Sequence, residues 1–169
     1  MESLKDLFEE TLKDVYFAEN AILKALPKME EKAKSSELKQ AFSGHLRETQ
    51  THVKRLEEIF KLIKLKPEGK ECPALKGLVQ ETEELMANAR TPEVMDAGLI
   101  GCAQAVEHYE IARYGTLIAW AEQLQLDDAI ELLEETLEEE EAADEKLTEI
   151  AMGGLNERAD NDDEDDDDR

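Results

Sequence analysis

Proline and glycine are scarce in this chain, with four and eight in 169 residues. So few helix breakers, set among abundant Leu, Ala, Glu and Lys, favour long helices over strands. No stretch alternates apolar and polar residues as a half-buried strand would. No apolar run approaches the roughly 20 residues of a membrane-spanning helix, which argues against a membrane partner. The N-terminus, Met1-Glu-Ser-Leu-Lys-Asp6, is no secretory signal. The only two cysteines, Cys72 and Cys102, lie thirty residues apart, which is not a zinc-ligand spacing. They are expected to be free thiols of a cytoplasmic protein, Cys102 in the core and Cys72 exposed on a loop. Positive charge is the remaining deficit: 20 Lys and Arg face 43 Asp and Glu, for a net charge of −23 and a pI near 4.4. That balance argues against nucleic-acid phosphates and anionic lipid as partners.

What is present is helical periodicity. Ser3 is placed to cap a helix running to about Lys34, with the stripe Leu4, Phe8, Leu12, Val15, Glu19, Ile22, Leu26 and Met29. Pro27 should kink it, because proline removes a backbone donor and crowds the preceding turn. Ser35-Ser36 caps a second helix to about Lys64, apolar at Leu38, Phe42, Leu56, Ile59 and Ile63, with His45, Glu48 and His52 between. Residues 66–73 read as a loop by their Pro and Gly content, and Pro73 opens a shorter helix to about residue 89. Thr91-Pro92, an N-cap followed by Pro, opens a long helix whose apolar line runs Leu99, Ala103, Val106, Glu110, Tyr114, Leu117, Ala121 and Leu124. Glu107 lies one turn before Glu110 on the same side. The chain breaks near Asp127. A last helix, with Ile130, Leu133, Leu137, Glu140, Asp144, Leu147 and Ala151 in line, runs to about Met152 and is stopped by Gly153-Gly154.

The reading is therefore one helical domain over residues 1–155 and a disordered acidic tail over 156–169. The ten residues from 160 onward hold eight acids and one Arg; removing them takes the net charge only from −23 to −16. The long helices number four, and a short one between the second and third lets the chain cross the bundle. The fold class is all-α, a four-helix bundle with a crossover helix, which is the connectivity of ferritin-like bundles. The chain also looks doubled: residues 45–59 align without gaps on 136–150, matching Leu, Glu, Leu, Glu and Ile.

Each long helix carries carboxylate at mid-length on its inward face. A buried carboxylate is costly unless it is paired or bound to a cation, and iron and manganese take oxygen donors with some imidazole. Glu19, Glu48 with His52, Glu107 with Glu110, and Glu140 with Asp144 are sufficient for two such ions. With 43 acids in the chain, any one of these is more simply a solvated residue, and His45, His52 and His108 are more simply surface or hydrogen-bonded imidazoles. Tyr16, Tyr109 and Tyr114 are packing residues, one of which could donate to a carboxylate. The coincidence of four mid-length clusters on four apolar stripes is what resists chance.

Tyr16-Phe-Ala-Glu19, Phe42 to Thr49, Val106 to Gly115 and Thr136 to Leu147 resemble the YciF/YciE family of bacterial ferritin-like stress proteins over about residues 3–152. The resemblance implies a ferritin-like fold, a homodimer and a dinuclear site of two iron ions or a related metal. The Glu107, Glu110 pair resembles the Glu-x-x-Glu of rubrerythrin-like di-iron proteins, which react with peroxide. The familiar Glu-x-x-His is absent: His52 follows Glu48 by four residues, and the last helix has no histidine. The expected assignment has Glu48 and Glu140 bridging the metals, Glu19, Glu110 and His52 terminal, and Glu107 an extra carboxylate. Asp144 is either a ligand or an acceptor holding one. The gapless repeat makes Glu139 the counterpart of Glu48, so the last helix offers Glu140 or Glu139. The expected function is a cytoplasmic dinuclear iron or manganese protein that reacts with O2 or peroxide in stress protection. Its rivals are iron binding without turnover and a metal-free helical bundle.

Overall fold

The computed structural model describes residues 1–161. Helix α1 spans Leu4–Lys32, α2 Ser36–Leu62, α3 Pro73–Asn88, α4 Pro92–Gln123 and α5 Asp127–Ile150. The helix ends follow local chemistry. Ser3 and Asp6 form a reciprocal capping box at the start of α1. Thr91 accepts from the Val94 amide at the start of α4, with Pro92 in the first turn, where its missing donor costs nothing. Pro27 lies inside α1, which continues through it as one helix.

The turn between α1 and α2 is tied to the body of the protein by buried Asp96, whose two carboxylate oxygens accept from the Lys34 and Ser35 amides at 2.7 Å each. Cys72 corrects the expectation of an exposed thiol. It is 1 % exposed, its sulfur accepts from the Leu75 amide to cap α3, and it lies 3.0 Å from the Tyr109 hydroxyl. Cys102 is only partly buried. Cys72 thus joins the core cluster, while Cys102 falls short of the core position expected of it.

Two apolar clusters define the bundle. One joins Ile22, Leu26, Leu38, Phe42, Leu99 and Leu147, and the other joins Phe8, Leu12, Leu56, Ile59, Leu117 and Leu133. The C-terminal half of α1 and the N-terminal halves of α2 and α4 therefore share one end of the molecule. Helices α2 and α4 run parallel on one diagonal, and every packed neighbour in the square is antiparallel. That arrangement requires the chain to return along the bundle between α2 and α4. Helix α3 does so, lying against α4 through Leu85 and Gly98; a Cβ at Gly98 would fall 2.6 Å from Leu85 Cδ1. The ferritin-like connectivity expected from the sequence is the one observed.

After α5 the chain does not simply end. Ala151–Leu155 forms a π-helical turn in which Gly154 takes φ 95°, a conformation that favours glycine. Leu155 is buried, and Asn156–Asn161 continues as a short helix, α6. The glycines break the helix as expected, but the first part of the expected tail is helical, since Leu155 anchors it to the core. The rest of the acidic run lies outside the described residues. Among those described, no helix is long and apolar enough to cross a membrane.

Candidate metal centre

Between the two apolar clusters the inward stripes of all four long helices turn polar together. Glu19 comes from α1, His45, Thr49 and His52 from α2, Glu107 and Glu110 from α4, and Thr136 and Glu140 from α5, none more than 6 % exposed. The buried line of α2 reads Leu38, Phe42, His45, Thr49, His52, Leu56 and Ile59, in alternating steps of four and three. That of α5 reads Leu133, Thr136, Glu140, Leu147 and Ile150. The polar residues therefore occupy core positions because the helical period places them there.

Two groups of donor atoms result, each with all members within 4.8 Å of one another: Glu19, His52 and Glu140 in one, and His45, Glu107, Glu110 and Glu140 in the other. Glu140 is common to both. In the first, His52 Nδ1 lies 3.1 Å from Glu140 Oε1 and 3.5 Å from Glu19 Oε1. In the second, His45 Nε2 lies 3.5 Å from Glu107 Oε1 and 3.7 Å from Glu140 Oε2. Two ligands held at about 2.1 Å on one octahedral ion lie about 3.0 Å apart when adjacent and 4.2 Å when opposite. These separations fit co-ligands of a common cation. Nine buried carboxylate and imidazole atoms of the layer have no hydrogen-bond partner, among them both oxygens of Glu110 and of Glu140. Buried polar atoms are ordinarily satisfied, so this concentration of orphans marks a place prepared for something the chain itself does not supply.

Protonation states express the same strain. Burial pushes the Glu110 carboxyl well above the usual carboxylate range, and Glu19, Glu140 and Glu107 add to it. Burial likewise raises Glu107, against an opposing pull from His45. It also raises Glu140, against His52. For His52, burial opposes the charged ring, yet Glu140 and Glu19 outweigh it and lift the pKa to about 11. The metal-free layer thus offsets its carboxylates with protons, which a cation would displace.

The surroundings hold some of these groups in place. His52 Nε2 meets Glu139 Oε2 at 2.8 Å, and Arg55 donates to both Glu139 oxygens, at 2.6 and 3.0 Å. Such a carboxylate behind an imidazole fixes its tautomer and leaves Nδ1 as the inward donor. Buried Tyr114 donates its hydroxyl to Glu19.

Of the residues singled out from sequence, Glu19, His52, Glu107, Glu110 and Glu140 come together at the centre. Glu48 does not. Its side chain is 48 % exposed and sits 3.6 Å from His45 Nδ1, outside the buried line that Thr49 occupies. Asp144 does not either. It is partly exposed, accepts from Gln104 and lies 3.5 Å from His108. Glu139 stands behind His52, and of the two registers it is Glu140 that lies in the layer. His45, read from sequence as a surface or hydrogen-bonded imidazole, is the member of the layer that the candidate set leaves out. Its signal was the seven-residue interval to His52, two full turns along one face.

A four-helix bundle with one crossover and a central carboxylate–imidazole layer defines the class: an all-helical, ferritin-like protein with a cluster suited to metal. The family described as Domain of unknown function (DUF892) matches residues 3–160, and the chain belongs to it. Protein YciF of Escherichia coli K12 is 43 % identical over 162 residues, 95 % of this chain and 98 % of that protein. The crystal structure of the E. coli stress protein YciF superposes with a TM-score of 0.88 at 43 % identity, covering 92 % of this chain and 99 % of that one. YcfI from Rhodopseudomonas palustris gives 0.86 at 48 % identity, covering 87 % and 94 %. A Xanthomonas campestris protein gives 0.72 at 21 % identity over 94 % and 99 %, a likeness of fold alone.

Proposed function

We propose that this protein binds two iron or manganese ions in its central layer and reacts with O2 or peroxide, as a cytoplasmic homodimer serving stress protection. The observation that carries the reading is the pair of donor groups sharing Glu140, whose inward atoms lack partners. Four carboxylates, Glu19, Glu107, Glu110 and Glu140, match the charge of two divalent cations in opposite sign, while His45 and His52 supply neutral nitrogen. Glu140 would bridge. Glu19 and His52 would hold one ion, and His45, Glu107 and Glu110 the other. Bound iron or manganese would supply the change of oxidation state. The protein's part is to fix the donors, exclude bulk water through the two apolar clusters, and release protons from Glu107, Glu110 and His52 as the ions enter. The stress role rests on the likeness to the E. coli stress protein YciF, and the homodimer on the family resemblance.

The test is anaerobic loading of the full chain with ferrous iron, metal analysis after removal of excess, then exposure to O2 or peroxide with absorbance recorded. About two irons per chain, with an oxidation-dependent absorbance change, is the expected result. Stoichiometric binding without any oxidant response would leave metal holding as the function. Absence of stoichiometric uptake of either metal would overturn the reading.

A further inference from the structure

The two donor groups differ in how they meet solvent. A cavity of about 360 Å³ lies between α2 and α5 and ends on His45 and Glu107. Ala41, Gly44 and Ala143 line it, so its walls are small where the helices face each other. His45 is 6 % exposed, and neither of its ring nitrogens has a hydrogen-bond partner. Glu48, half exposed and beside His45 Nδ1, lines the cavity with Glu37, and Glu139, which also lines it, is already engaged by Arg55 and His52. Lys146, the cation lining the cavity, is engaged by Glu37 at 3.6 Å and Glu149 at 3.2 Å.

Resting on the metal-binding reading above, we propose that this cavity is the port through which divalent cations reach the centre, and that Glu48 hands each ion to His45. An acidic mouth concentrates cations and repels anions, and such focusing raises association rates by about 10- to 1000-fold. The port opens at the His45 group; the Glu19–His52 group is backed by Tyr114 and by the Glu139–Arg55 pair. An ion bound to His45, Glu107 and Glu140 can pass along the shared Glu140 to the inner group, so filling is ordered from the outside inward. Glu48 is then a loading residue and not a resident ligand.

The test follows Co(II) binding to the full chain by stopped-flow absorbance, with final stoichiometry measured separately. Glu48→Gln removes the charge and keeps the shape. Gly44→Leu narrows the port at a position where an added Cβ would meet nothing nearer than Arg47 Nη2 at 3.9 Å. Loading is expected to slow about tenfold in each, with weaker salt dependence in Glu48→Gln and wild-type stoichiometry in both. Glu68→Gln, an exposed acid on the loop after α2, should load at the wild-type rate. Unchanged loading rates in both port variants, with wild-type stoichiometry, would overturn the port alone. Loss of one ion per chain in Glu48→Gln would make Glu48 a ligand and also overturn it. A wild-type chain that binds no Co(II), iron or manganese would remove the underlying reading with it.

Discussion

The two donor groups of the central layer share Glu140 but differ in support. On the Glu19–His52 side the two donors that are not shared each have a brace: Tyr114 holds Glu19, and Glu139, itself gripped by Arg55, holds His52. On the His45–Glu107–Glu110 side the braces are few. Glu48 stands behind His45 Nδ1 at a looser 3.6 Å, both Glu110 oxygens lack partners, and the group borders a cavity. Preorganised donors bind tightly because they need not be ordered on binding, whereas unbraced donors can move as an ion enters or changes charge. On the proposed reading, the inner group would favour retention of an ion and the outer one exchange.

The largest effect should come from Glu140→Ala, since both groups depend on it. Metal analysis should find no stoichiometric uptake. His45→Ala and His52→Ala should each retain about one ion per chain, and retention of two in Glu140→Ala would show that the groups do not share a bridge. Next in size is Glu139→Ala. Loss of a carboxylate behind a liganding imidazole typically costs about 10- to 100-fold in affinity. A two-phase Mn(II) titration should show that loss at the inner group alone. An equal loss at both would mean that Glu139 supports the whole layer and the asymmetry is false.

The sequence made the four stripes legible because helical periodicity needs only the spacing of apolar residues. Glu19, Glu107, Glu110 and Glu140 stood out as acids within those stripes. Glu48 and Asp144 carry ligand chemistry and stand at three-and-four offsets from their neighbours just as Thr49 and Ala143 do, so spacing alone does not choose between them. His45 was discounted on residue type while lying in phase with Phe42 and Thr49. The internal repeat carried the correction: the gapless alignment pairs Glu48 with Glu139 and Thr49 with Glu140, and burial follows it, with the first pair partly exposed and the second buried. Cys72 was hidden for another reason, since its burial depends on where α3 docks, which no local pattern encodes.

A smaller effect separates the outer group from the apolar clusters on either side. Burial disfavours the charged form of the Glu110 carboxyl, so Glu110→Gln should raise the stability of the metal-free protein above about pH 5 and change it little below. The pH dependence gives a second handle. Burial raises the folded-state pKa of Glu110, Glu107 and Glu140 above 4.5, and Glu140 and Glu19 raise His52 from 6.5 to about 11. In every case the folded chain binds more protons than the unfolded one. The resulting stability is fully present below the unfolded pKa and is lost as pH rises, from about 4.5 for the acids and between 6.5 and about 11 for His52. Thermal melts of the metal-free protein should therefore fall from pH 5 to pH 8, with a shallower slope in Glu110→Gln. An identical slope would place the pH dependence in the acidic surface instead.

The smallest change tests whether bracing itself distinguishes the groups. Tyr114→Phe keeps the ring that packs with Phe8 and Leu117 and removes only the hydroxyl that donates to Glu19. The cost to the metal-free protein should be about 1 kcal/mol, the usual size for one hydrogen bond. Loss of the brace should weaken the inner ion by about tenfold at most and leave the outer one unchanged. If instead the inner ion binds as before, the carboxylate of Glu19 is oriented by the bundle backbone and not by its tyrosine. Retention at the inner group would then rest on the Glu139–Arg55 side alone.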